Sequence, residues 1–115
     1  SEKKHMALYE NIANISTELN YHDNVCLVMG ATYPSELKII REQNPNLPFL
    51  IPGLGHQKGD LFEIIDNSII NNNPNILINS ARGIIYASED PVNFGNFARQ
   101  KVKKINTEIN DLYSF

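Results

Sequence analysis

The chain has 115 residues, 42% of them hydrophobic, and a formal charge of −3, which suffices for one compact soluble domain and fits no disorder class. Its ten lysines and arginines are scattered apart from Lys101, Lys103 and Lys104, so there is no basic face of the kind nucleic acid requires. No apolar stretch approaches the ~20 residues of a membrane span, and the N-terminus is charged and polar rather than signal-like, so the expectation is a soluble, cytoplasmic protein without a membrane partner.

From Glu2 to about Asn20 the apolar residues Leu8, Ile12, Ile15 and Leu19 recur at spacings of four, three and four, which predicts one helical face. Val25 to Met29 is an unbroken apolar run closed by Gly30 and reads as a strand buried on both faces, as in a parallel sheet. Cys26 lies inside that run and is expected as a buried, reduced thiol rather than a nucleophile, since nothing beside it lowers the thiol pKa. A single cysteine makes no internal disulfide, which suits a reducing compartment. Pro34 stands at the first position of the next helix, where its missing N–H costs nothing. In that helix Leu37 and Ile40 form one face and the charged Lys38, Arg41 and Glu42 the other, until Asn44-Pro45-Asn46 stops it.

The same pattern then repeats. Phe49 to Ile51 is a strand, Gly53 to Gly59 a loop, and Leu61 to Ile70 a helix with Leu61, Ile64, Ile65 and Ile69 apolar. The run Asn71-Asn72-Asn73-Pro74-Asn75 is a polar breaker. Ile76 to Ile78 is a third strand, followed by the Arg82-Gly83 turn and one helical turn over Ile84 to Ala87. Asp90-Pro91 opens the last helix, in which Ala98, Val102, Ile105, Ile109 and Leu112 are spaced four, three, four and three. Strand starts near 25, 49 and 76 define β–α units of about 25 residues, the α/β class with a parallel sheet. Three such units are an incomplete object, because they leave two bare sheet edges where doubly wound domains and (β/α)8 barrels have more strands. The whole chain, residues 1–115, is therefore expected to be the C-terminal part of a larger domain.

Two strand ends carry the chemistry. Pro52-Gly53-Leu54-Gly55-His56-Gln57-Lys58-Gly59-Asp60 offers backbone N–H groups and an amide, and Asn79-Ser80-Ala81-Arg82-Gly83 offers a guanidinium beside a glycine. Together they are the inventory for one phosphate. Alone, a Gly-x-Gly after a strand is a weak signal, and an arginine after a strand often pairs only with a surface carboxylate. On successive strands they match the loops after strands seven and eight, where barrels often hold phosphate. The three histidines share no metal-ligand spacing, so no metal is expected.

These segments, with Val28-Met29-Gly30-Ala31-Thr32 upstream, resemble the last three β–α units of orotidine 5′-monophosphate decarboxylase, above all the branch fused to orotate phosphoribosyltransferase in bifunctional UMP synthase or found as a separate enzyme in some parasites. The resemblance implies a (β/α)8 TIM barrel whose strands six to eight are Val25–Met29, Phe49–Ile51 and Ile76–Ile78. It implies that Gln57 and Arg82 grip the substrate 5′-phosphate, that Gly83 adds a backbone N–H, and that Pro52 lines the pyrimidine side. It further implies orotidine 5′-monophosphate and UMP as ligands, no cofactor, the N-terminal remainder of the barrel as partner, a homodimer, and a transferase domain fused in some relatives. His56 and Lys58 depart from the family pattern and are read as solvated loop residues. The family's Asp-x-Lys-x-x-Asp segment, which carries the decarboxylation, has no counterpart here, so this chain is expected to hold binding residues, no catalytic ones, and no activity alone. Two other readings share the same residues: another sugar-phosphate barrel, and a non-enzymatic module that binds phosphorylated ligands or packs on a partner.

Overall fold

The computed structural model describes residues 5–54 and 60–113. Along the chain lie α1 (Leu8–Leu19), β1 (Leu27–Val28), α2 (Pro34–Gln43), β2 (Phe49–Pro52), α3 (Leu61–Ser68), β3 (Ile76–Asn79), α4 (Arg82–Ile85) and α5 (Phe94–Tyr113). The three strands form one parallel sheet in the order β1-β2-β3. Leu27 stands opposite Phe49 and Phe49 opposite Ile76, and the β2–β3 ladder runs on to Pro52 opposite Asn79. Beyond its short ladder β1 keeps following β2, since the N–H groups of Met29 and Ala31 donate to the carbonyls of Leu50 and Pro52 at 2.8 and 3.2 Å.

The helices that follow β1 and β2 cover one face of the sheet. Phe49 and Ile51 point into a buried cluster with Leu37 and Ile40 of α2, Ile64 of α3, and Ala13, Ala31 and Leu47. Alternate strand residues point the other way, and there Val28 and Leu77 are 67% and 70% exposed. The strands are apolar on both faces, as parallel strands require, but this chain covers only one. The expectation that β1 is buried on both faces is thus corrected, and Cys26, on the bare side, is exposed rather than buried.

The first helix departs from expectation for the same reason. Its apolar stripe, Leu8, Ile12, Ile15 and Leu19, is half or more exposed. It docks on α2 through its small and polar side: Ala13 is buried, the Thr17 hydroxyl donates to Asn44 Oδ1 at 2.5 Å, Asn44 Nδ2 donates to Asn14 Oδ1 at 3.2 Å, and Gln43 Nε2 donates to Glu10 Oε1 at 2.7 Å. The periodicity located the helix, while the face that touches the rest of the chain is the opposite one.

Arg41 reverses its expected place on a charged, wet face. It is fully buried, and among the described residues it donates to the carbonyls of Ser68 (2.6 Å), Leu47 (2.7 Å), Pro45 and Asn75 (each 3.2 Å) and Asn44 (3.4 Å). Its guanidinium carbon lies 3.7 Å from the centroid of the Phe49 ring, a cation–π contact. Burial lowers its pKa to about 10, so it stays charged through the neutral range. One side chain thereby ties the end of α2 to the loops entering β2 and β3.

Smaller differences lie at helix starts. The last helix begins at Phe94 and not at Asp90, because Asp90 Oδ1 accepts the N–H groups of Val92 and Asn93 at 2.8 and 3.0 Å and holds a turn ahead of it. The short α4 begins at Arg82, two residues before its expected start, because the Ala81 carbonyl accepts from both Ile84 and Ile85. Pro34 does stand in the first turn of α2.

Candidate functional site

Both glycine-rich segments leave the C-terminal ends of adjacent parallel strands, so the chain turns out of the sheet twice on one edge. At the end of β2, half-buried Pro52 is followed by Gly53 with φ of +108°, a backbone state that only glycine adopts without strain. Leu54 then tucks against the core. Gln57 lies outside the described residues, as do His56 and Lys58.

At the end of β3 the chain passes Asn79, opposite Pro52, and enters α4 three residues later. Arg82 is exposed in the first turn of that helix. No side chain caps α4, and no acceptor among the described residues takes the N–H of Arg82 or Gly83. The helix after β2 differs: Asp60 Oδ1 accepts from Phe62 and Glu63 at 2.7 and 3.4 Å, so its N-terminus is already satisfied by a carboxylate. Of the two strand-end helices, it is α4 that offers free donors beside a cation.

The two turns are joined. The Ser80 hydroxyl donates to the Leu54 carbonyl at 3.1 Å. A Cβ built on Gly83 stands 2.8 Å from Ser80 Oγ and 4.0 Å from the Leu54 carbonyl oxygen, so the glycine is what lets α4 lie against this link. Pro52, Arg82 and Gly83 therefore share one edge. Asn79 and Ser80 belong to it as well and were not singled out from the sequence as site residues. Strand parity is the signal that finds Asn79, which has the same parity as Leu77 and lies on the open face. Among the described residues no group of three or more His, Cys, Asp or Glu side chains is placed to hold a metal ion. Among them, too, no helix is long and apolar enough to cross a membrane.

An orotidine 5′-phosphate decarboxylase of Dehalococcoides mccartyi is 40% identical over 103 residues, which are 90% of this chain and 38% of that relative. This chain is homologous to part of the orotidine 5′-phosphate decarboxylases. Among solved structures it superposes on Leishmania donovani UMP synthase with a TM-score of 0.74 at 33% identity, covering 95% of this chain and 24% of that one. The Leishmania donovani OMP decarboxylase gives a TM-score of 0.72 at 31% identity, with 95% and 41% covered. No family model matches the chain. The chain thus spans less than half the length of these decarboxylase and UMP synthase relatives. The expected resemblance, including its UMP synthase branch, is borne out. So is the α/β class, whose parallel strands are consistent with the C-terminal part of a TIM barrel.

Proposed function

We propose that residues 1–115 are the C-terminal part of a single orotidine 5′-phosphate decarboxylase barrel domain, with β1, β2 and β3 as strands six, seven and eight. In this reading the complete protein converts orotidine 5′-monophosphate to UMP, and this chain supplies the loops that hold the 5′-phosphate. The observation that carries it is the shared strand-end edge, where the Ser80 hydroxyl, two residues before Arg82, bonds the Leu54 carbonyl and the N–H groups of Arg82 and Gly83 have no acceptor among the described residues.

Three features of the packing support a barrel completed by further chain. The bare sheet face carries Val28 and Leu77 at positions that a barrel interior fills with branched apolar residues. A cavity of about 340 Å³ runs beside β3, lined by Ile76, Leu77 and Ile78 of the strand and by Val102, Ile105 and Ile109 of α5, where another strand would pair. The Cα radius of gyration is 16.4 Å, against ~13 Å for a compact domain of this length.

In the complete site Arg82 makes a charge-assisted, bidentate contact to the phosphate, and the Gly83 N–H adds a donor that sits close to the anion. Gln57 holds the phosphate from the β2 side, and Pro52 lines the pyrimidine. None of these groups touches the C6 carboxylate that leaves, and the reading calls for no cofactor. Their role is to use contacts to a remote group to organise the reacting centre, so their loss lowers rate as well as affinity. The chain alone is inactive, the complete enzyme is a cytoplasmic homodimer, and a fusion to orotate phosphoribosyltransferase would extend it.

The test is Arg82→Ala in the full-length protein that carries this segment, assayed for CO2 release from orotidine 5′-monophosphate. Loss of a charged phosphate partner is expected to lower kcat/KM by about 3 kcal/mol, roughly a hundredfold or more. Gln57→Ala should cost less, and its effect should shrink on a substrate without the phosphate. An Arg82→Ala enzyme with unchanged kcat/KM would remove the assignment.

A further inference from the structure

We infer that Ser80 is a positioning residue for phosphate recognition, acting through one hydroxyl that locks the turn after β2 to the turn after β3. The inference deepens the phosphate reading above and rests on it. Parallel strands fix their own spacing through the ladder, but that control ends at Pro52 and Asn79, the last paired residues. Beyond them the β2–β3 ladder no longer holds the two segments together, and Gly53 at φ of +108° turns the backbone out of the sheet. Among the described residues, the side-chain hydrogen bond that crosses the gap is that of Ser80 Oγ to the Leu54 carbonyl, 3.1 Å long. It ties a point just after Gly53 to a point two residues before Arg82.

Gly83 is part of the same device. A Cβ at that position would come within 2.8 Å of Ser80 Oγ, and the hydroxyl is the group able to move, by rotating off Leu54. A methyl group at position 83 would therefore break the link by pushing the Ser80 hydroxyl aside, with residue 80 still a serine. Gly83→Ala and Ser80→Ala become two routes to one defect, and their effects should not add.

The experiment uses the full-length protein with Ser80→Ala, Gly83→Ala, the double variant and Arg82→Ala, each assayed on orotidine 5′-monophosphate and on orotidine, which lacks the phosphate. Ser80→Ala is expected to lower the ratio of the two kcat/KM values roughly fivefold, the weight of one neutral hydrogen bond. Gly83→Ala should lower it similarly, and the double variant no further than the worse single. A Ser80→Ala enzyme that loses equally on both substrates, or that loses nothing, overturns the positioning role. Fully additive losses in the double variant overturn the shared hydroxyl. If Arg82→Ala leaves the ratio unchanged, it is the phosphate reading itself that fails, and this inference goes with it. If Arg82→Ala lowers the ratio and Ser80→Ala does not, the phosphate reading stands without the Ser80 link.

Discussion

Replacing Arg41 tests whether backbone carbonyls alone can hold a buried cation. The guanidinium is fully buried and meets five carbonyls among the described residues, two of them at 2.6 and 2.7 Å, with the Phe49 ring against its face. Hydrogen bonds to a charged group contribute ~1.5–3 kcal/mol each before desolvation, and burying the ion itself costs several kcal/mol. The net of those opposing terms is modest, but it is not what a substitution measures. Arg41→Met keeps most of the volume and removes the charge, yet it leaves the carbonyls of buried Ser68, Leu47 and Asn44 facing an apolar chain. Each stranded acceptor costs ~1–3 kcal/mol, with part of that recovered by the desolvation no longer needed, so a loss of about 3 kcal/mol is expected. Arg41→Lys keeps the charge but not the planar fork, and should fall between the two. The assay is urea unfolding of the full-length protein, read together with kcat/KM at low denaturant. Arg41 sits where the chain enters β2 and β3, at the end of the strands away from the proposed phosphate site, so stability should fall while kcat/KM of the folded enzyme holds. An Arg41→Met protein within 0.5 kcal/mol of wild type would refute the claim that the carbonyl set depends on this cation.

Other expectations follow from single features. Ser68 Oγ is buried without a hydrogen-bond partner among the described residues, so Ser68→Ala should be neutral or stabilising by up to about 1 kcal/mol, and a loss beyond 1 kcal/mol on unfolding would show that the hydroxyl has a partner after all. Backbone N–H bonds from Asn93 and Val92, with the Asn93 side chain, hold the Asp90 carboxyl below its ordinary pKa. Its folded value being the lower one, the stability it gives is present at neutral pH and is lost as pH falls from the ordinary aspartate range through the lowered value. Asp90→Ala should flatten that part of the stability–pH curve, and an identical acid limb in both proteins would count against it. Ile12→Asp and Ile15→Asp fall on residues 50% and 53% exposed here, yet in the full-length protein each should cost more than 1 kcal/mol, because the stripe is covered there; effects within 0.5 kcal/mol would make α1 an ordinary surface helix.

The sequence was most informative where the pattern is local. Three apolar runs, the proline at the start of α2 and the Asn-rich breaker sufficed to place the sheet and its order of units. The glycines and the arginine at the strand ends sufficed to single out the two turns as one edge, while the roles of Pro52 and Gly83 came only from the family resemblance. What escaped was set by partners distant in sequence. Arg41 looked like a surface cation because its acceptors are carbonyls, which every residue has and no pattern reveals, contributed by loops as far along as Asn75. Ser80 was not singled out because a hydroxyl that meets a carbonyl 26 residues earlier leaves no mark on spacing. Cys26 was misplaced by a sound rule, since an apolar run does mean two apolar faces, although it does not say that both are covered by the same stretch of chain.

That last distinction also explains why α1 docks by its polar side. A helix in a β–α repeat has two neighbours, the sheet beneath it and the next helix beside it, and only the first needs a broad apolar stripe. Here α1 meets the next helix through Ala13, Asn14, Thr17 and Glu10, with short hydrogen bonds to Asn44 and Gln43. Its stripe of Leu8, Ile12, Ile15 and Leu19 stays half or more exposed. Had α1 belonged to a self-contained three-unit domain, the stripe would have turned onto β1 and buried Val25 and Leu27, which remain only half covered. The side-by-side polar contact is specific enough to hold the helix in register without that sheet. The exposed stripe, the bare sheet face with Val28 and Leu77, and the cavity beside β3 are three uncovered apolar surfaces of one chain. On the proposed barrel reading, each is an apolar surface that further chain would cover.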